Sequence, residues 1–167
     1  RVHAGKHGLD LSRVVAVGHS AGGHLALWLA ARARLPASSA LRTRDPLPVA
    51  EVISLGGLPD LEATAATPEN GCGTDVVARL IGERPDPYAD TSVPRLLPLG
   101  ITQHLVGGRE DRIIPYRFAT DYAARATAAG DRVTLHTVPR TGHVELVTPD
   151  TPAWGRTRSL ILETLAR

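Results

Sequence analysis

Residues 13–23 read Arg13-Val14-Val15-Ala16-Val17-Gly18-His19-Ser20-Ala21-Gly22-Gly23, an apolar run that passes into a glycine-rich turn. The nearly all-apolar part, residues 13–17, predicts a β-strand buried on both faces, as strands of parallel sheets usually are. Residues 21–34, which follow, are rich in alanine and leucine and predict a buried helix. This segment therefore predicts a strand, a tight turn and a helix, with Ser20 in the turn.

The rest of the chain repeats this alternation of short apolar runs and helical patterns. Strands are predicted at residues 49–55, 101–106 and 132–138, and helices at residues 116–129 and 153–166. Short connections between alternating strands and helices imply an α/β fold with a parallel sheet flanked by helices. The exception is residues 58–100, which contain six prolines and one predicted helix at residues 75–81 and are interpreted as a lid-like insertion. We expect a single, partial domain over residues 1–167.

Composition and charge exclude several classes of protein. The chain has 167 residues, one cysteine (Cys72) and a net charge of +2 from 19 Lys and Arg against 17 Asp and Glu. One thiol cannot form an internal disulfide or a cysteine zinc site. A weak, scattered positive charge does not indicate nucleic-acid binding. The longest uncharged run, between Arg13 and Arg32, contains His, Ser and Gly and does not predict a membrane span.

The turn carries a Gly-x-Ser-x-Gly pattern, which has chemical meaning between a strand and a helix. A serine there has a strained backbone, its hydroxyl projects beyond the sheet, and the helix N-terminus provides N–H donors. Gly18 and Gly22 lack a Cβ, so we expect them to let the strand and helix approach closely. Ser20 is therefore the predicted nucleophile, and His19 is expected to pack or to line the pocket. The alternative is a glycine-rich turn with an incidental serine.

A serine hydroxyl needs a base, usually a histidine that is oriented by a carboxylate. Of the seven histidines, His143 alone is predicted in a loop after the last strand, where parallel sheets place their chemistry. His104 and His136 fall inside predicted strands, and His24 in the buried helix is expected to be a satisfied core residue. His143 is therefore the predicted base.

Three carboxylates are candidates for orienting that base. Asp111 stands in a loop after a predicted strand, Glu110 is its immediate neighbour, and Asp60 follows the preceding strand. The order Ser20, Asp111, His143 is the hydrolase order for an α/β sheet, which favours Asp111. The alternative for Asp111 is a turn or helix N-terminal carboxylate.

Four segments, taken in order, resemble the esterase/lipase branch of the α/β-hydrolase superfamily, which includes kynurenine-formamidase-like and feruloyl-esterase-like enzymes. They are Gly18–Gly23, Tyr88–Leu99, Asp111–Pro115 and Gly142–Leu146, with Pro149 and Trp154 downstream. The resemblance runs from about Asp10 to the C-terminus. The sequence departs from the family at Gly107, where histidine is common, and at residues 92–94, where Ser-Val-Pro replaces Ser-Pro.

The resemblance implies a serine hydrolase that acts on small-molecule carboxylic esters, with the Ala21 N–H as one oxyanion donor. It implies no metal and no organic cofactor. Amides, formamides and peptides are alternative substrates, and a non-catalytic binding protein on the same fold is an alternative role. A nucleotide-binding domain is disfavoured, because a Gly-x-Gly-x-x-Gly motif needs glycine where Ser20 stands. The sequence does not indicate an oligomeric state, and we favour a cytoplasmic location.

The family places several strands and a His-Gly-Gly loop, which gives the other oxyanion donor, before this region. The chain begins with Arg1 and contains no Met, so we expect it to be N-terminally truncated. The strand at residues 13–17 would then lack a partner on one side and be an exposed edge. Because one missing oxyanion donor costs about 10²–10³ in rate, we expect weak activity from this piece alone.

Overall fold

Four strands form one fully parallel sheet in the order β1-β2-β3-β4. The computed structural model describes residues 1–68, 72–73 and 75–166. The strands are β1 (Val15–His19), β2 (Glu51–Leu55), β3 (Thr102–Gly108) and β4 (Arg132–Val138). The predicted α/β class with a parallel sheet is confirmed.

Helices connect the strands and cover the sheet. They are α1 (Ala4–His7), α2 (Ala21–Ala31), α3 (Leu61–Ala65), α4 (Asp75–Ile81), α5 (Arg117–Ala128) and α6 (Pro152–Leu165), with 3₁₀ turns at Arg32–Arg34, Val93–Leu96 and Val144–Leu146. The sequence did not predict α1 and α3, because a helix of four or five residues is too short to carry an apolar period. No helix in the described ranges combines the length and the apolar character that crossing a membrane requires.

Each face of the sheet has its own core. Leu27 of α2 and Tyr122 of α5 pack with Val52 on one face. Leu160 of α6 packs with Ile53 on the other face. Because successive strand residues point to opposite faces, Val52 packs in one core and Ile53 packs in the other. The result is a three-layer arrangement in which β2 is buried along its whole length.

The first strand differs from its prediction in position and in burial. It occupies Val15–His19 rather than residues 13–17, because pairing with β2 continues through Gly18 to His19, which lies opposite Leu55. Val17 is 41% exposed, so the expectation of burial on both faces is wrong for β1 within this chain. Among the described residues β1 pairs with β2 alone.

The described part of residues 58–100 contains more regular structure than its prolines suggest. The segment holds α3, α4 and a 3₁₀ turn, and Leu61 and Val77 share a small core with Ile114 and Phe118 at the start of α5. Residues 69–71 and 74 of this segment lie outside the described residues. The insertion is therefore fastened to the domain near α5.

A chain of polar contacts runs from the buried Glu51 and His104 of the sheet to the exposed Arg156 of α6. The Nε2 of His104 lies 2.5 Å from Glu51 Oε1, and its Nδ1 lies 2.9 Å from His136 Nε2. The guanidinium of Arg156 is 2.9 Å from His136 Nδ1. Since arginine can only donate, His136 accepts at Nδ1 and donates from Nε2, and His104 then donates from Nε2 to Glu51. Each bond in the chain has one donor and one acceptor when both imidazoles are neutral.

His24 on α2 is buried, with 4% of its surface exposed, and its Nδ1 has no hydrogen-bond partner within the described residues. The expectation of a fully satisfied core histidine is therefore wrong at this nitrogen. Burial lowers the pKa of His24 to about 4, and the main-chain carbonyls of Pro59 and Leu58 only partly offset that effect. His24 is thus neutral at pH 7 and costly to protonate in the folded chain.

This burial predicts acid sensitivity. Between pH 6.5, the ordinary pKa of histidine, and about pH 4, His24 is protonated in the unfolded chain but neutral in the folded chain. The free energy of unfolding should therefore rise with pH across that window and fall by roughly 3 kcal/mol on acidification through it. In His24→Gln, an amide N–H can still reach the carbonyls but does not titrate, so the pH dependence should be flatter. Urea titrations at several pH values measure this, and equal slopes for both proteins would contradict it.

Candidate active site

Ser20 occupies a strained turn between β1 and α2. Its φ is 56° and its ψ is −123°, a conformation that costs a residue with a side chain about 1–3 kcal/mol. The Ser20 N–H donates to the carbonyl of Leu55 at 2.8 Å, and the Ser20 carbonyl accepts from the N–H groups of Gly23 and His24 at 2.9 and 3.2 Å. Main-chain bonds to β2 and to α2 thus fix the turn from both sides.

Glycines allow the strand and helix to meet at this turn. A Cβ on Gly18 would overlap the Gly22 carbonyl and lie 2.8 Å from the Gly23 nitrogen. A Cβ on Gly23 would lie 2.7 Å from Ser54 Oγ. A Cβ on Gly22 would meet nothing within 4 Å, so the expectation that Gly22 permits this approach is wrong within this chain. Gly23, which the sequence pattern does not single out, has that role.

The helix that follows Ser20 presents a free donor at its first residue. Ala21 is exposed and opens α2, and the first N–H groups of a helix have no intrahelical partner. The positive end of the helix dipole lies at the same place. A developing negative charge beside Ser20 would be stabilised there.

Asp111 and His143 form a short, directed hydrogen bond. Asp111 Oδ2 lies 2.6 Å from His143 Nδ1, and Oδ1 accepts from the N–H groups of Ile113 and Ile114, both at 2.8 Å. Burial by itself would raise the pKa of Asp111, but the bonds from His143, Ile114 and Ile113 hold it below its ordinary value. An ionised carboxylate accepts only, so Nδ1 of His143 carries a proton, and in the neutral imidazole the lone pair is then on Nε2.

His143 reaches this position because its loop crosses the strand ends. Strand β4 lies three strands from β1, about 14 Å at the usual spacing. Over β3, a Cβ on Gly108 would lie 2.6 Å from the Gly142 carbonyl oxygen. Over β2, a Cβ on Gly56 would lie 3.1 Å from His143 Nδ1. At β1, Nε2 of His19 is 3.0 Å from the His143 carbonyl oxygen.

The competing carboxylates have other environments. Glu110 is exposed to solvent. The Asp60 carboxylate accepts from the Ala63 N–H at 3.1 Å at the start of α3 and pairs with Arg125. Of the three candidates, Asp111 is the one bonded to His143.

His104 also has a carboxylate partner, but it lies at the wrong end of the sheet. Glu51, its partner, lies opposite Val15 at the start of β1. Val15 is four residues, about 13 Å, from His19 along β1. This pair is therefore remote from Ser20, in agreement with the preference for His143.

The predicted residues thus gather at one edge, the C-terminal rim, which is formed by the strand ends His19, Leu55, Gly108 and Val138. Asp111 and His143 are bonded, and the His143 ring lies 4.4 Å from the ring of His19, which precedes Ser20. Within the described residues the Ser20 hydroxyl has no hydrogen-bond partner. No three His, Cys, Asp or Glu residues in the same ranges are grouped to hold a metal ion.

An apolar cavity of about 160 Å³ lies beside α2. Its lining includes His24, Leu25 and Trp28 of α2 and Leu61 and Leu80 of the insertion. The Trp28 indole N–H donates to the Asp90 carbonyl at 2.7 Å, so this ring offers its apolar face. The insertion therefore closes one side of an apolar space on the helix that begins next to Ser20.

The family comparison agrees with this geometry. The BD-FAE family profile matches residues 1–124 of the 167. The chain belongs to the BD-FAE family. BD-FAE is an α/β-hydrolase esterase family, so the resemblance seen in the sequence is confirmed, and the chain has part of an α/β-hydrolase fold.

Solved structures share the fold of this BD-FAE chain at low sequence identity. An acylaminoacyl peptidase of Pyrococcus horikoshii is 18% identical with a TM-score of 0.71, over 95% of this chain and 24% of that one. A truncated carbohydrate esterase from gut microbiota is 20% identical with a TM-score of 0.70, over 99% and 64%. Esterase 2 of Thermogutta terrifontis is 21% identical with a TM-score of 0.72, over 99% and 58%. The chain spans less than two thirds of each neighbour, and no curated protein matches it.

Three features of this site were not predicted from the sequence. They are the close packing at Gly23, the close packing at Gly56, and the hydrogen bond from His19 to the His143 main chain. The paired glycines at residues 22–23 and 56–57 were a local signal for close approach. No local signal indicated the His19 contact, because its partner is 124 residues away.

The glycine geometry predicts opposite outcomes for two neighbouring substitutions. Gly18→Ala forces a methyl group against the main chain of residues 22–23, which cannot yield, and should lower the free energy of unfolding by at least about 3 kcal/mol. Gly22→Ala adds a methyl in open space within a helix and should stay within about 1 kcal/mol of the parent, on the stabilising side. Chemical unfolding of both variants measures this, and equal destabilisation would contradict the packing.

Proposed function

We propose that this protein is a serine hydrolase that cleaves carboxylic esters through an acyl-serine intermediate. Ser20 is the nucleophile, His143 the general base, Asp111 the residue that orients the base, and the Ala21 N–H an oxyanion donor. The observation that carries the proposal is the 2.6 Å bond between Asp111 and His143, which leaves Nε2 free on the rim where Ser20 lies.

In the first half of the reaction, His143 Nε2 takes the proton of the Ser20 hydroxyl as the oxygen attacks the ester carbonyl. The carbonyl π-electrons move to oxygen, and the Ala21 N–H donates to the resulting oxyanion. The carbon–oxygen bond to the leaving group then breaks, and the protonated His143 returns the proton to the departing alcohol. Ser20 is left acylated.

In the second half, water takes the place of the alcohol. His143 removes one proton from the water, whose oxygen attacks the acyl carbon, and the collapse of the oxyanion expels the Ser20 oxygen. The proton on His143 returns to that oxygen, and a carboxylic acid leaves. Through both halves the charge on Asp111 stabilises the imidazolium, and its fixed position holds the Nδ1–H tautomer.

Carboxylic esters with small apolar acyl groups are the substrates that we propose. The cavity beside α2 is apolar and small, which suits a short acyl chain. The related Thermogutta terrifontis esterase has been described with butyrate and with propionate bound, which supports the same size range. On this proposal Leu61 and Leu80, from the segment 58–100, form the lid-like wall of the acyl pocket.

Amides are the second candidate, and the Pyrococcus horikoshii neighbour, an acylaminoacyl peptidase, favours it. The same residues could cleave an amide, but His143 would have to protonate a more basic leaving group. Rates on p-nitrophenyl butyrate and on an N-acyl amino acid p-nitroanilide, measured side by side, separate the two. The proposal of an esterase expects the ester to react faster relative to its uncatalysed hydrolysis.

A covalent probe tests the nucleophile without requiring turnover. The Ser20 oxygen should displace fluoride from a fluorophosphonate, which adds the mass of one probe less HF to the parent chain, and intact-mass spectrometry counts that event even when it is slow. The related esterase phosphoramylated by tabun supports this choice of chemistry. Ser20→Ala should lose all labelling, whereas Ser38→Ala, at an exposed serine, should keep it. Folded parent protein that stays unlabelled would favour a non-catalytic binding role instead.

Asp111→Asn should slow that labelling by about 10⁴-fold while the protein remains folded. The amide oxygen has to keep the bonds from Ile113 and Ile114, so the amide NH₂ would face His143. Nδ1 would then accept and the proton would move to Nε2, which could no longer receive a proton from Ser20. The labelling rate measures the effect, and Glu110→Gln, at the exposed neighbour, is the matched control. Similar rates for the parent and Asp111→Asn would contradict the assigned role.

A further inference from the structure

His19 stands between the proposed nucleophile and the proposed base. It is the last residue of β1, it precedes Ser20, and its imidazole is half-buried. Its Nε2 lies 3.0 Å from the main-chain oxygen of His143, and the two rings lie 4.4 Å apart at an angle of 41°. One side chain thus contacts both the main chain and the ring of His143.

The direction of that hydrogen bond is fixed by its acceptor. A carbonyl oxygen only accepts, so His19 Nε2 carries a proton and donates it. Burial lowers the pKa of His19, and the His143 carbonyl only partly offsets this, so the imidazole is neutral at pH 7. A neutral ring beside His143 adds no like charge that would oppose an imidazolium there.

The bond from His19 holds the main chain of His143 and does not engage its ring nitrogens. Nδ1 of His143 is engaged by Asp111, and Nε2 has to stay open to receive the Ser20 proton. A donor aimed at a ring nitrogen would block the base, whereas a donor aimed at the carbonyl does not. His19 is therefore placed to fix the position of the imidazole without occupying either of its ring nitrogens.

We propose that His19 is a positioning residue that ties the His143 loop to the strand carrying Ser20, through the hydrogen bond from its Nε2 to the His143 carbonyl. The inference rests on the proposed function for the roles of Ser20 and His143. The contact itself, between β1 and a loop 124 residues later, belongs to the structure whatever the reaction is.

Asp111 holds the ring of His143, but the main-chain anchors of this loop lie on either side of that residue. Before it, the Thr141 carbonyl accepts from the Glu110 N–H at 3.0 Å. After it, Leu146 is fully buried, but Val144 between them is 63% exposed. Without the bond from His19, the main chain at His143 would lose its hydrogen bond to β1, and the imidazole could shift relative to Ser20 while it stays bonded to Asp111. A displacement of 1 Å at a reacting group costs up to about 10²-fold in rate.

The test compares two substitutions at the same position. In His19→Gln the amide N–H lies close to where Nε2 was and can donate to the same carbonyl, whereas His19→Leu fills the space without a donor. Labelling of the parent chain and variants by a fluorophosphonate is followed over a range of probe concentrations, which separates the maximal inactivation rate from the concentration that gives half of it. His7→Leu, at an exposed histidine, is the control.

We expect His19→Leu to lower the maximal inactivation rate by about 10- to 100-fold with little change in the half-saturating concentration. His19→Gln should recover the rate to within about threefold of the parent, and His7→Leu should leave it unchanged. If His19 served only for packing, leucine would match or exceed glutamine. A His19→Leu rate within twofold of the parent, or a His19→Gln rate as low as that of His19→Leu, would overturn the inference and leave the proposed function intact.

A parent chain that is folded but unlabelled would instead count against the proposed function. The positioning contact is then tested by NMR of the His143 ring nitrogens in the same three proteins. His19→Leu should shift or broaden these resonances, and His19→Gln should leave them close to those of the parent. Unchanged His143 resonances in His19→Leu would overturn the inference.

Discussion

The site depends on a chain segment that crosses the whole sheet. In a parallel sheet all strands end at one edge, but Ser20 follows β1 and His143 follows β4, at opposite sides of the described sheet. A segment must therefore span about 14 Å over two intervening strand ends. The segment can pack directly on the strand ends because Gly108 leaves room for its main chain and Gly56 leaves room for the imidazole of His143. The tight packing that allows this crossing brings Asp111, His143 and His19 into contact.

Location, rather than the residue pair alone, separates the candidate site from the rest of the molecule. The fold contains a second carboxylate–imidazole pair, Glu51 and His104, with a separation of 2.5 Å. That pair lies near the N-terminal strand ends, and its imidazole is occupied at both nitrogens, by Glu51 and by His136. The pair of Asp111 and His143 lies where a helix begins and keeps one nitrogen open. Both pairs contain a carboxylate bonded to an imidazole. Only the Asp111–His143 pair has a ring nitrogen without a partner among the described residues, close to the turn before α2.

Much of this could be predicted from the sequence, because the decisive signals were local. The apolar runs, the Gly-x-Ser-x-Gly turn and the loop positions of Asp111 and His143 predicted a parallel α/β sheet and the carboxylate–imidazole contact. The errors came from contacts between distant segments. The exposure of Val17 depends on what packs against β1, the roles of Gly22 and Gly23 depend on where β2 lies, and a short helix such as α3 is set by its capping residue rather than by a period.

Strain at Ser20 follows from the same packing. A residue with a side chain rests at φ 56° only if its neighbours leave it no relaxed alternative. Here the Leu55 carbonyl holds its N–H, α2 holds its carbonyl, and Gly18 and Gly23 allow strand and helix to close upon it. These restraints are main-chain hydrogen bonds and close approaches at glycines. The rim therefore depends on few side chains. The geometry of this turn can therefore accompany many different cores.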